Sequence, residues 1–157
     1  LEEARTKLPV DMTILISERL AEAYVQYGTT MNDYSYFEEA IAVFGFMRDM
    51  GWESYKTYNN LSMLYRMIGD YDQSYKTLDN MLTLYGENYN TYKRMAYLET
   101  DIQKSKENEE RDYNIFKEYY DKAIDLYQKE KNNNKNDIEM DYLDQIYRDL
   151  IDGNWLE

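Results

Sequence analysis

A run of 34 residues from Tyr55 to Asn88 carries a pattern that returns, imperfectly, on both sides of itself, and this periodicity constrains the fold most. Within it stand Tyr58, Leu61-Ser62, Tyr65, Gly69-Asp70-Tyr71, Ser74, Leu78 and Met81. The spacing predicts two helices joined at Gly69, with small residues where the helices approach and large ones around that contact. Glycine at the turn permits a positive φ that would strain other residues. A helical hairpin of this kind cannot bury its apolar face alone, so copies must stack.

Upstream, Leu20-Ala21, Tyr24 and Gly28 repeat the first helix and its turn, and Phe37, Ala40, Phe44 and Met47 the second, after an insertion over about Thr29 to Tyr36. Downstream, Tyr92, Met95 and Ala96 open a third copy. Its second helix resumes at Tyr113, Phe116, Tyr120 and Ala123 beyond a polar insertion, Lys104 to Arg111. Glu99 stands there in place of an aromatic residue. Residues 137–151 are apolar at Ile138, Leu143, Ile146, Tyr147, Leu150 and Ile151, which predicts an amphipathic helix capped by Asp137 and ended by Gly153.

The order of residues in the central copy resembles the tetratricopeptide repeat, with Met81 where alanine is usual and Gly86 where proline is usual. The resemblance implies an all-α fold, a helical solenoid of about three helix-turn-helix repeats plus a C-terminal capping helix. Residues 1–13 then read as the remnant of a preceding repeat or an N-terminal helix, from the spacing of Ala4 and Pro9. Residues 14–54, 55–88 and 89–130 are the three repeats, and 131–157 the polar linker (Lys131 to Asn136) and the cap. The sequence opens on Leu1 rather than Met, which reads as a trimmed N-terminus.

Composition agrees with helices and narrows function. One proline and six glycines in 157 residues leave few breaks, and 43% hydrophobic content can fill a core. A net charge of −13 opposes phosphate backbones and anionic lipid, so nucleic acid is not expected as a partner. No apolar run is long enough to cross a bilayer, so membrane insertion is not expected either. With neither histidine nor cysteine, the sequence lacks the usual nucleophilic triads and zinc ligands. No catalytic residue, metal site or cofactor is expected. The carboxylates read as solvated faces, and most of the nineteen tyrosines as packing residues.

In the family, the first helix of each repeat lines a concave, ligand-binding face. The matching residues are Lys56, Asn59, Asn60, Met63, Arg66 and Met67 in the central copy, and Asn90, Lys93, Arg94 and Tyr97 in the third. Leu15, Glu18, Arg19, Glu22, Val25 and Gln26 match them in the first. Amides can bond an extended backbone and guanidinium groups can clasp a carboxylate. The expected function is therefore a non-catalytic protein- or peptide-binding scaffold. Its partner would be extended, with an acidic group near Arg66 or Arg94. Glu18 and Glu22 stand where relatives that grip a terminal carboxylate carry Lys and Asn, which disfavours that activity. Two alternatives remain. The tail Leu143–Leu156 resembles the ends of bacterial serine/threonine kinase chains that carry such repeats, implying an accessory region of a larger signalling enzyme. Open end faces would instead make the chain a self-associating module, a homo-oligomer.

Overall fold

The computed structural model describes residues 2–130 and 136–152, with side chains from 9 to 130 and from 136 to 151. Among these residues there are seven α-helices and no strand: α1 Glu2–Met31, α2 Ser35–Asp49, α3 Tyr55–Met67, α4 Tyr71–Tyr85, α5 Tyr89–Lys104, α6 Asn114–Glu130 and α7 Ile138–Asp152. The all-α expectation holds. Most of the expected linker, the Gly153 stop and the end of the kinase-like tail lie outside the described residues. The chain divides into two compact units between Thr77 and Leu78, inside α4.

In the first unit α1 and α2 form an antiparallel hairpin and α3 lies on α2. Ala21, Phe37, Ala40, Phe44, Met47, Leu61 and Leu64 are its buried core. The alanines sit where α1 and α2 close on each other, as the repeat pattern requires. Ser62 and Ser74 do the same for α3 and α4: both are buried, and the Ser74 hydroxyl donates to the Ser62 carbonyl at 2.7 Å. Small side chains thus bring backbones close, and both hydroxyls placed there are satisfied, the Ser62 hydroxyl donating to the Asn59 carbonyl at 2.8 Å. Ser54 begins α3 with a reciprocal cap: its Oγ accepts from the Thr57 N–H while Thr57 Oγ1 accepts from the Ser54 N–H. Gly69, at φ +82°, ends the helix as its place in the repeat predicted.

The first copy departs from its expected outline in three places. Residues 1–13, read as the remnant of a preceding repeat or an N-terminal helix, are not set apart from the first copy: α1 runs unbroken through Pro9 from Glu2 to Met31. Gly28 makes no turn. The helix continues a further turn to Met31, and Asn32, at φ 52°, takes the left-handed position. The insertion is thereby absorbed largely as extra helix. What Gly28 provides is clearance: a Cβ there would stand 2.7 Å from the Phe37 ring. Third, Leu20 is exposed and faces away from the core, because no described helix of the first unit covers that side of α1; Ile14, Tyr24 and Val25 pack on the core.

In the second unit α5 and α6 form the hairpin, and α7 lies against both. Tyr92, Met95, Ala96 and Leu98 from α5 and Phe116, Tyr120 and Ala123 from α6 are buried, as are Met140, Leu143 and Ile146 from α7. Gly86, at φ +74°, turns the chain into α5, which Asn88 caps by accepting the Thr91 N–H at 3.0 Å. Glu99, the residue that broke the aromatic pattern, is buried and accepts a 2.6 Å hydrogen bond from the Gln103 amide. Gln103 Oε1 in turn accepts the Asp112 N–H at 2.8 Å. Arg111 donates to the Lys106 and Lys104 carbonyls. The polar insertion is thus a short loop with one 3₁₀ turn, Asn108–Glu110, tied back to the end of α5.

Candidate binding faces on α3 and α5

Six of the sequence-predicted residues lie on α3, outside the core formed by Thr57, Tyr58, Leu61, Ser62 and Leu64. Lys56 and Met67 are exposed, and Asn59, Asn60, Met63 and Arg66 are half-buried. The Asn59 amide donates weakly to the Met63 sulfur at 3.9 Å, which joins these two side chains one turn apart. Lys56 Nζ donates to Glu22 of α1 at 2.6 Å, and Arg19 reaches the same carboxylate at 3.0 Å. The Lys56 bond, with its charge, holds the Glu22 carboxyl below the usual carboxylate range. The contact joins α3 to α1, the helices that open the central and first copies. Both groups are solvated, and such a pair contributes about 0–1 kcal/mol.

The α5 face is built differently. Lys93 is 3% exposed. Its Nζ donates to Asp137 at 2.8 Å and stands 3.5 Å from Glu139. Arg94 grips both oxygens of Glu139, at 2.5 and 3.3 Å. The Tyr97 hydroxyl donates to the Glu139 carbonyl at 2.9 Å, and its ring stacks on Tyr142 with centroids 6.1 Å apart. Asn90 is half-buried at the start of the same helix. The structure therefore gives Lys93, Arg94 and Tyr97 an occupant within the chain, the first turn of α7, where the sequence reading left them open to a partner.

Asp137 holds this junction together. It precedes α7 and accepts the Glu139 N–H at 3.0 Å, the expected N-cap. Its own N–H donates to the Tyr127 hydroxyl. Burial works to raise the Asp137 carboxyl, but the Lys93 hydrogen bond and charge outweigh it and the group lies below its ordinary value. Burial raises the Tyr89 hydroxyl, helped by the Asp137 charge. Lys93 also sits 5.6 Å above the Tyr89 ring. On α6, Tyr120 donates to Asp144 at 2.5 Å and stacks on Tyr147 at 4.3 Å. The apolar contact decides the energetics. Met140, Leu143 and Ile146 together stabilise the docked helix by on the order of 5 kcal/mol, while the partly solvated ion pairs chiefly fix its register.

Sequence reasoning identified the cations on α5 and expected an acidic group beside Arg94. It missed that the chain supplies that group. The signal was the Asp137-Ile138-Glu139 triplet at the head of the expected capping helix. Among the described residues, no cluster of three or more acidic side chains could hold a metal ion, and no helix is long and apolar enough to cross a membrane. No family model, curated protein or solved structure matches the chain.

Proposed function

We propose that this chain is a non-catalytic, protein-binding helical scaffold of the tetratricopeptide type, and that its ligand face is carried by α3. The observation that supports this reading most is the occupied face of α5. There, Lys93, Arg94 and Tyr97 receive an acidic segment with an aromatic residue one turn on, through charge-assisted bonds and a ring stack. The α3 face has the same kind of chemistry: amides at Asn59 and Asn60, a guanidinium at Arg66, and thioethers at Met63 and Met67 in place of the ring. Methionine suits such a surface because its flexible, polarisable side chain adapts to different apolar groups. The ligand is a protein segment with an acidic residue and an apolar side chain about one helical turn apart.

Affinity capture with the full chain, followed by identification of the bound segment, tests this. Met63→Ala with Met67→Ala is expected to reduce capture about tenfold, since two truncated apolar contacts in an interface remove one to two kcal/mol or so. Lys76→Ala, exposed on α4, is expected to leave it unchanged. Equal loss in the Lys76 variant would refute the assignment to α3.

A further inference from the structure

The longest helix carries an apolar stripe that the proposed ligand face does not use. Ile16, Leu20, Ala23, Tyr27 and Thr30 follow one another along α1 in alternating steps of four and three, with Met12 and Met31 at the two ends. All are exposed: Ile16 by 62%, Leu20 by 45% and Tyr27 by 58%. This is the spacing of a two-helix seam. The chain also shows what such a face is for. The residues of α3 that match Ile16, Leu20 and Ala23 are Thr57, Leu61 and Leu64, and all three are buried, with Leu61 and Leu64 in one core with Phe37, Phe44 and Met47 of α2. On α1 the corresponding face is exposed, with no described helix of the first unit over it.

We propose that a second copy of this chain covers the stripe, with the two α1 helices running antiparallel. The stripe is self-complementary in that orientation and in one register. With the two-fold axis between Ala21 and Glu22, Leu20 meets Ala23 of the second copy, a large residue against a small one. Ile16 meets Tyr27 of the second copy, and Met12 meets its Met31. An isologous contact requires each residue of such a pair to find the other, and here every pair does. Beside Tyr27 and Met31 lies an open recess of about 360 Å³, lined also by Ala23, Gln26 and Thr30. The Met12 and Ile16 side chains of the second copy fall against it.

Electrostatics permits this pairing although each copy carries a net charge of −13. The positions flanking the seam are Met12, Ser17, Arg19, Tyr24, Gln26 and Met31, with a single charge, and Arg19 is already paired with Glu22 at 3.0 Å. None of the excess negative charge lies on the seam. From Met12 to Met31 the contact is about 28 Å long, at about 1.5 Å per residue. That is a single pair of helices, short of the roughly 800 Å² per partner of a standard interface, so the dimer is weak and depends on concentration.

Sedimentation equilibrium of the full chain over a wide concentration range is the test. The expected mass rises from 19.1 kDa towards twice that value, and added salt strengthens the association by screening repulsion between the acidic bodies. Ile16→Glu and Leu20→Glu each leave the helical spectrum intact and shift dimerisation at least tenfold to higher concentration. Ile138→Glu, on an exposed position of α7, leaves it unchanged. Because the chain has no cysteine, register is read directly by disulfide formation. A mixture of Ile16→Cys and Tyr27→Cys chains is expected to give the mixed dimer in preference to either homodimer. A monomer at every concentration, or a dimer indifferent to Ile16→Glu, overturns the proposal; homodimer disulfides in preference to mixed ones overturn the antiparallel register.

Discussion

Two glycines inside helices should respond to alanine with opposite signs. In a helix interior, glycine costs about 0.8–1.0 kcal/mol relative to alanine, so propensity alone predicts that both substitutions stabilise. At Gly45 in α2 nothing stands within 4 Å of the added Cβ, and the propensity gain should appear nearly in full. At Gly28 in α1 the same carbon falls 2.7 and 2.9 Å from two atoms of the Phe37 ring and 3.2 Å from the Asp33 carbonyl oxygen. Phe37 is buried among Ala40 and Phe44, so the ring can retreat only by pushing into the core. Overpacking of this kind costs about 1–3 kcal/mol, which exceeds the propensity gain. Gly28→Ala should therefore lose about 1–2 kcal/mol where Gly45→Ala gains up to about 1. Urea unfolding followed by helical circular dichroism separates them, and for a chain this size each kcal/mol moves the thermal midpoint by about 2–4 °C. If both alanines stabilise alike, the close approach of α1 to Phe37 is wrong.

Ala21→Leu or Ala40→Leu should overpack the same hairpin and cost about 1–3 kcal/mol; unchanged melting of both would contradict the register of α1 on α2. Lys93→Ala should destabilise by about 1–3 kcal/mol, because it leaves the Asp137 carboxylate partly buried without its cation. The pH dependence carries the sign. The folded Asp137 lies below its unfolded value, so its contribution is present above the ordinary carboxylate pKa of about 4 and is lost as pH falls through the folded value. The acid-side decline in stability should be shallower in Lys93→Ala, and identical slopes would remove the ion pair from the account. Tyr92 works on the alkaline side: burial, with the Glu87 hydrogen bond, pushes its hydroxyl up to about 12. Its contribution is full below the unfolded value of about 10 and is lost as pH rises through 12, so Tyr92→Phe should flatten the alkaline decline, which equal alkaline slopes would rule out.

Much of this fold could be read in advance because its devices are local. The large-small pairs at Leu61-Ser62 and Met95-Ala96, the turn at Gly69 and the apolar period of α7 are each legible within one helix or one turn. What the sequence did not yield depends on what lies across from a residue. Leu20 and Leu61 match in the repeat, yet one is exposed and the other buried, because α2 covers α3 and no described helix of the first unit covers that side of α1. Gly28 had the look of a turn residue, but the insertion after it is equally content as helix, and Phe37 gives the glycine a steric role instead. Lys93 and Arg94 were legible as a cationic pair. Their partners stand 44 and 45 residues away, a distance at which neither charge nor period links them in the sequence. Through its hold on Glu139, Arg94→Ala should bring a measurable loss of stability.

On the proposed function α3 carries the ligand face while α7 fills the face of α5, and the nine methionines can report on both at once. Methyl spectra of methionine-labelled chain, titrated with the captured partner segment at a concentration where the chain is monomeric, are the direct measurement. Met63 and Met67 should shift strongly. Met47, Met81, Met95 and Met140, all buried, should stay in place, the last showing that α7 remains docked. Shifts at Met95 and Met140 with Met63 and Met67 unmoved would contradict the account, by placing the ligand where α7 lies.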